Sequence, residues 1–149
     1  MLAKRGIKKL YISQALDSLK ALGCNKLVVQ STMLLDGVMT EMLRTEVGKV
    51  KNDFRAVSVV RPLLYSVDDC QIMIEMLTKS LLADKSVATK KSQVVLVGHG
   101  SDSPANAMYS QIDYLLKAEG KSSWHVGTIE GFPKRENVEQ QLKNSKSKK

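Results

Sequence analysis

The chain has 149 residues, 43% of them hydrophobic and 26% charged, enough for roughly one globular domain with a real core and unlike a low-complexity or fibrous polymer. No run approaches the ~18 consecutive apolar residues of a membrane span, and the opening MLAKRGIKKL lacks the apolar block of a secretion signal, so a cytoplasmic protein without membrane attachment is expected. The net charge of +8 is concentrated at the ends, in Lys4, Arg5, Lys8 and Lys9 and in Lys134, Arg135, Lys143, Lys146, Lys148 and Lys149, and reads as solvated tails rather than a nucleic-acid groove.

In residues 10–22, Ile12, Leu16, Leu19 and Leu22 recur on one helical face and Gly23 supplies a stop, which predicts an amphipathic helix. KLVVQS at 26–31 is a short apolar run of the kind found in a buried strand. A loop with Asp36 and Gly37 follows, then a helix from about Thr40 to Lys51 and the strand AVSVV at 56–60, closed by Arg61 and Pro62. The next helix spans about 67–82, with Ser66 or Asp68 available as its cap. Residues 83–92 form a polar linker.

QVVLV at 93–97 is the clearest strand, and it runs directly into GHGSDSPANA. Ser103 followed by Pro104 is a helix start with proline at the first helical position, and that helix extends to about Ala118. WHVGTI at 124–129 reads as a strand, GFP at 131–133 as a turn, 135–143 as a last helix, and 143–149 as a disordered basic tail. Strands alternating with helices imply parallel pairing in a flavodoxin-like or Rossmann-like α/β fold, a parallel sheet with flanking helices. Sites in such folds lie beyond the carboxyl ends of the strands, here the loops 31–38, 98–103 and 130–134.

His99 stands out on chemistry alone. It follows a strand, is flanked by Gly98 and Gly100, and precedes a helix start, so an imidazole that can hold a metal or accept a proton is presented at the carboxyl edge. Glu130 occupies the corresponding place one strand later. A neutral imidazole and a carboxylate converging there suit a divalent first-row metal without specifying which; each taken singly also reads as a turn brace or a solvated loop residue. His125, inside a strand pattern, reads as structural. Met33, Met39 and Met42 read as core filler rather than soft-metal ligands, and Cys24 and Cys70 as buried thiols. GHGSDS could hold an anion on backbone amides, but it matches neither a dinucleotide fingerprint nor a Walker motif, so no nucleotide is expected. There is no GxSxG elbow of an α/β-hydrolase either.

VVLVGHGSDSPANAMYSQIDYLL followed by HVGTIEGFP, with LVVQSTMLLDG upstream, resembles the sirohydrochlorin cobaltochelatases of the anaerobic cobalamin pathway, over roughly residues 10–142. The resemblance implies two similar α/β halves facing a cleft for the tetrapyrrole: residues 1–82 as the remainder of the first half, 83–92 as a linker, and 93–142 as the start of the second. It implies insertion of Co(II) into sirohydrochlorin without a nucleotide, with a metal site made of the GHG histidine, the glutamate of VGxxEGxP and a further histidine. The first two match His99 and Glu130; the third has no counterpart here. The family's opening strand is also missing, and Met33 and Met39 stand where the family commonly has a histidine and acidic residues.

The reading is therefore a chelatase fold incomplete at both ends, and the alternative is a fragment or degenerate paralogue that binds metal or tetrapyrrole without turnover. Its expected partners are the tetrapyrrole, whose carboxylates would meet a basic rim including Arg61 and Lys90, and further copies of itself through open sheet edges.

Overall fold

The computed structural model describes residues 9–83 and 92–145. Lys4, Arg5, Lys8, most of the linker with Lys90, and Lys146, Lys148 and Lys149 lie outside them. The order is α1 (Ile12–Ala21), β1 (Lys26–Gln30), α2 (Val38–Lys49), β2 (Ala56–Val60), α3 (Val67–Ala83), β3 (Val94–Gly98), α4 (Ala107–Ala118), β4 (Trp124–Thr128) and α5 (Arg135–Asn144).

The fold is mixed α/β with parallel strands, of the Rossmann-like kind, but the four strands do not join in one sheet. β1 pairs only with β2 and β3 only with β4 among the described residues, each pair parallel. Correspondingly the chain divides into two compact units, Met1–Leu63 and Leu64–Lys149. The helix α3, assigned by sequence to the first half, packs against α4 in the second unit. α5 continues through Lys143 to Asn144, past the expected start of the tail.

In the first unit α1 packs against α2 and buries Leu16, while α2 buries Thr40 and Val47. The Thr40 hydroxyl donates to the Leu35 carbonyl (3.2 Å), so this buried polar group is satisfied. Asp36 receives both guanidinium nitrogens of Arg44 at 2.7 and 2.9 Å, a fork that fixes the loop entering α2. β1 is less buried than its apolar run implies. Leu27 and Val29 are half-buried, but Val28 on the opposite face is 73% exposed.

The second unit holds the larger core: Cys70 and Ile74 of α3, Ile112 and Leu116 of α4, Trp124 and Val126 of β4, and Val138 of α5. Ser66 and Asp69 cap α3 reciprocally, Asp69 N donating to Ser66 Oγ (3.2 Å) and Ser66 N to the Asp69 carboxylate (2.9 Å). Helices lie on both sides of the β3/β4 pair. Leu96, Gly98 and Val126 share one side with Ile112 and Tyr109 of α4; Val95, Val97 and Gly127 share the other with Val138 and Leu142 of α5. All five residues of β4 are consequently buried, whereas Val97 of β3 remains 67% exposed. Asp113 of α4 braces β4 from its own side, accepting from Val126 N (2.9 Å) and from Lys117 Nζ (2.6 Å).

Leu116 is fully buried, so Leu116→Ala is expected to destabilise this unit by about 2–5 kcal/mol through lost burial and a residual cavity. Tyr114→Ala on the same helix, at a position 73% exposed, should change stability by less than about 0.5 kcal/mol. Urea unfolding followed by the fluorescence of Trp124, the sole tryptophan, reads both variants; similar midpoints for the two would contradict this placement of the core.

Candidate metal centre

The parallel register sets Gly98 opposite Thr128 as the last paired residues of β3 and β4. Beyond that pair, Ile129 N donates to the Gly98 carbonyl (3.1 Å) and Glu130 N to the His99 carbonyl (2.7 Å). Two successive carbonyls thus receive two successive amides, instead of the alternation of a regular ladder, and the sheet opens into its loops here. The result puts His99 Nδ1 4.0 Å from Glu130 Oε2, with side chains 74% and 73% exposed.

That separation is too long for a hydrogen bond. Two donors sharing one ion at about 2.1 Å each stand roughly 3–3.4 Å apart, so small rotations of these unpacked side chains would bring both onto one metal. Among the described residues no set of three or more His, Cys, Asp or Glu side chains converges on any point, so no third side chain of these types stands beside the pair.

Local packing explains the glycines around His99. The Tyr109 ring covers Gly98 so closely that a Cβ there would lie 2.1 Å from its Cε1, and the Tyr109 hydroxyl accepts from Gly100 N at 3.4 Å. Gly100 has φ +92°, and a Cβ on it would fall 1.7 Å from the Glu130 carbonyl oxygen. On the other side of the site, the Pro133 carbonyl accepts from both the amide (2.8 Å) and the hydroxyl (3.0 Å) of Thr128, closing the loop that carries Glu130.

The remaining candidates sit elsewhere. His125 is buried at 3% exposure, its Nδ1 bonded to Gln141 Oε1 (2.7 Å) and its Nε2 to Gln93 Oε1 (2.8 Å), so it braces α5 and the start of β3 and presents no free nitrogen. Met33, Met39 and Met42 are exposed rather than core filler: the loop after β1 and the outer face of α2 carry them, while Thr40 and Val47 fill the inner face. Arg61 is exposed at the end of β2, and its carbonyl accepts from Gln30 Nε2 at 3.3 Å.

Only one cysteine is buried. Cys24 is exposed, because it closes the turn after α1 with its amide on the Leu19 carbonyl (3.1 Å), which turns the residue out of the core. Cys70 is fully buried beside Met108, Sγ to Sδ 3.2 Å, and burial, reinforced by the Asp69 charge, pushes its thiol up from the usual range. A thiol raised in the folded state adds stability at low and neutral pH that is lost as pH climbs through the folded value. At mildly alkaline pH a thiol reagent should therefore titrate one cysteine in the native chain and two in denaturant; two fast native thiols would disprove the burial of Cys70.

A family model described as cobalt chelatase (CbiK) matches residues 1–149, the whole chain. The chain belongs to the cobalt chelatase family. Among its relatives is the sirohydrochlorin cobaltochelatase of Salmonella typhimurium strain LT2, 28% identical over 120 residues that make up 80% of this chain and 44% of that one. The chain thus spans less than half the length of this relative. No described helix is long and apolar enough to cross a membrane.

In this chelatase-family chain the two candidate ligands belong to one unit and are joined through backbone. Gly100→Ala is expected to cost about 2 kcal/mol or more, since the new methyl meets a backbone carbonyl rather than a yielding side chain. Amide hydrogen exchange at Glu130, whose N–H is held by His99, should accelerate in the variant. A wild-type midpoint with unchanged Glu130 protection would argue against this close approach.

Proposed function

We propose that this chain carries the metal-handling edge of a cobalt chelatase, one that delivers Co(II) to a tetrapyrrole of the sirohydrochlorin class. The supporting observation is the placement of His99 and Glu130 4.0 Å apart beyond two paired parallel strands, in a chain of the cobalt chelatase family. Co(II) is the substrate here, not a resident cofactor, and no step requires a nucleotide. On this reading residues 1–82 and 93–142 derive from the two halves of the chelatase, with α3 packed into the second unit.

The chemistry asks for two things. The ion must shed part of its water shell while held facing the macrocycle, and two pyrrole N–H protons must leave as the metal enters. His99 and Glu130 together supply one neutral nitrogen and one anionic oxygen, a mixed donor set suited to Co(II). As coordination passes to the macrocycle, the released imidazole and carboxylate become proton acceptors, and their exposure lets protons pass to solvent.

A second reading is favoured by one observation, the lack of a third His, Cys, Asp or Glu side chain beside the pair among the described residues. Two protein ligands hold an ion weakly and leave it largely hydrated, which fits binding of metal or tetrapyrrole without turnover. Water, the macrocycle or a second copy of the chain would then complete the coordination sphere.

Titration of the chain with Co(II), followed by the metal's visible absorbance, is expected to show a site that His99→Ala abolishes. Equal affinities in wild type and variant would remove His99 from the site. The absorbance of sirohydrochlorin with Co(II) at neutral pH then separates the readings: a rate above the protein-free background that falls in Glu130→Ala marks a chelatase. Co(II) binding with only the background rate marks the binding protein.

A further inference from the structure

His99 and Glu130 are exposed, so packing does not aim their side chains; the courses of their two loops do. One side chain spans those loops. Asn106, the last residue of the 3₁₀ turn Pro104–Asn106 that leads into α4, accepts from Ser101 N at Oδ1 (3.1 Å) and donates through Nδ2 to the Phe132 carbonyl (2.9 Å). Its partners are each two residues beyond a candidate ligand, one past His99 and the other past Glu130.

The rest of the contact region is built around this amide. A Cβ on Gly131, the neighbour of Glu130, would lie 2.4 Å from Asn106 Oδ1, so the side chain presses directly on the loop it holds. Ser101 is fixed a second time, its hydroxyl lying 2.9 Å from the Ser103 hydroxyl and accepting from Ser103 N at 3.1 Å. The Ser103 carbonyl in turn accepts from Asn106 N (2.9 Å), which closes the turn and sets the direction of the Asn106 side chain.

Only an amide of this length does both jobs. Aspartate keeps the acceptor for Ser101 N but has no donor for the Phe132 carbonyl; leucine has the shape and neither function; glutamine is one methylene too long. The backbone bonds between the strands fix the loop roots at Gly98 and His99, and Asn106 fixes the loops two residues further out.

We propose that Asn106 is a positioning residue for the metal pair: through Ser101 and Phe132 it holds the His99 and Glu130 loops at the spacing that lets both side chains reach one ion. The proposal rests on the reading of His99 and Glu130 as metal ligands and adds the residue that makes their separation reproducible. Asn106 itself touches no metal. Outer-shell partners of this kind change metal affinity by about 10–100-fold when removed.

The test compares Asn106→Ala and the shape-conserving Asn106→Leu with Asp113→Asn, which weakens the brace between α4 and β4 away from the carboxyl edge. Each is titrated with Co(II), and its melting temperature and amide exchange are measured. Both Asn106 variants should bind Co(II) at least about tenfold more weakly, with the visible Co(II) band shifted towards that of the hydrated ion. Asp113→Asn, at a comparable loss of melting temperature, should bind as wild type does. Wild-type affinity in a folded Asn106 variant would overturn the proposal, as would an equal loss in Asp113→Asn. If the wild-type chain shows no Co(II) site that depends on His99, the ligand assignment fails by itself. Exchange then decides the positioning role: faster exchange at both Ser101 and Glu130 in the Asn106 variants supports it, and unchanged protection at Glu130 refutes it.

Discussion

The in-register parallel pairing of β3 with β4 is the constraint on which the candidate site depends. His99 and Glu130 lie thirty-one residues apart in sequence, and no local spacing rule brings them together. The ladder from Val94 and Trp124 to Gly98 and Thr128 does so, and the two further hydrogen bonds at Ile129 and Glu130 carry the contact into the loops. Because the side chains depart where the ladder ends, they face solvent rather than a helix, which an incoming metal ion requires.

Holding that opening in place constrains the chemistry of its surroundings. Tyr109 can cover the end of β3 only because residue 98 lacks a side chain, and the chain can pass against the Glu130 carbonyl only because residue 100 lacks one. The polar groups left by the irregular loops are satisfied locally, by Asn106, by the serine hydroxyls and by the Pro133 carbonyl, so the backbone of the edge is tied by hydrogen bonds while the two candidate side chains stay exposed. The contrast with His125 is instructive. Both histidines belong to the β3/β4 region, but one is clamped at both ring nitrogens under α5 and the other has 74% of its side chain in solvent. Burial, not residue type, separates the brace from the candidate ligand.

The metal chemistry available to this edge follows from what it lacks as much as from what it has. A nitrogen and an oxygen donor with no third His, Cys, Asp or Glu side chain nearby, among the described residues, would favour a weakly held and exchangeable ion over a permanent one. Under the proposed function such exchangeability is what delivery would need, since the ion would leave the protein for the macrocycle. The same incompleteness leaves the balance between turnover and simple binding to whatever else joins the coordination sphere.

Much of this was legible in the sequence. Helical spacing of Leu16 and Leu19, the β-branched runs at 56–60 and 93–97, the Ser103–Pro104 start and the glycine-flanked His99 each encode a local preference, and local preferences survive folding. The motifs GHG and VGTIEGFP likewise pointed to the cobalt chelatase family through residues near one another in the chain. What sequence did not decide was every property that depends on a distant neighbour. The four strands divide between two pairs, α3 packs with the second unit, Cys24 and the three methionines lie at the surface, and Asn106 bridges two loops. Periodicity tells which face of an element is apolar; only the tertiary structure supplies the surface that covers that face or leaves it open.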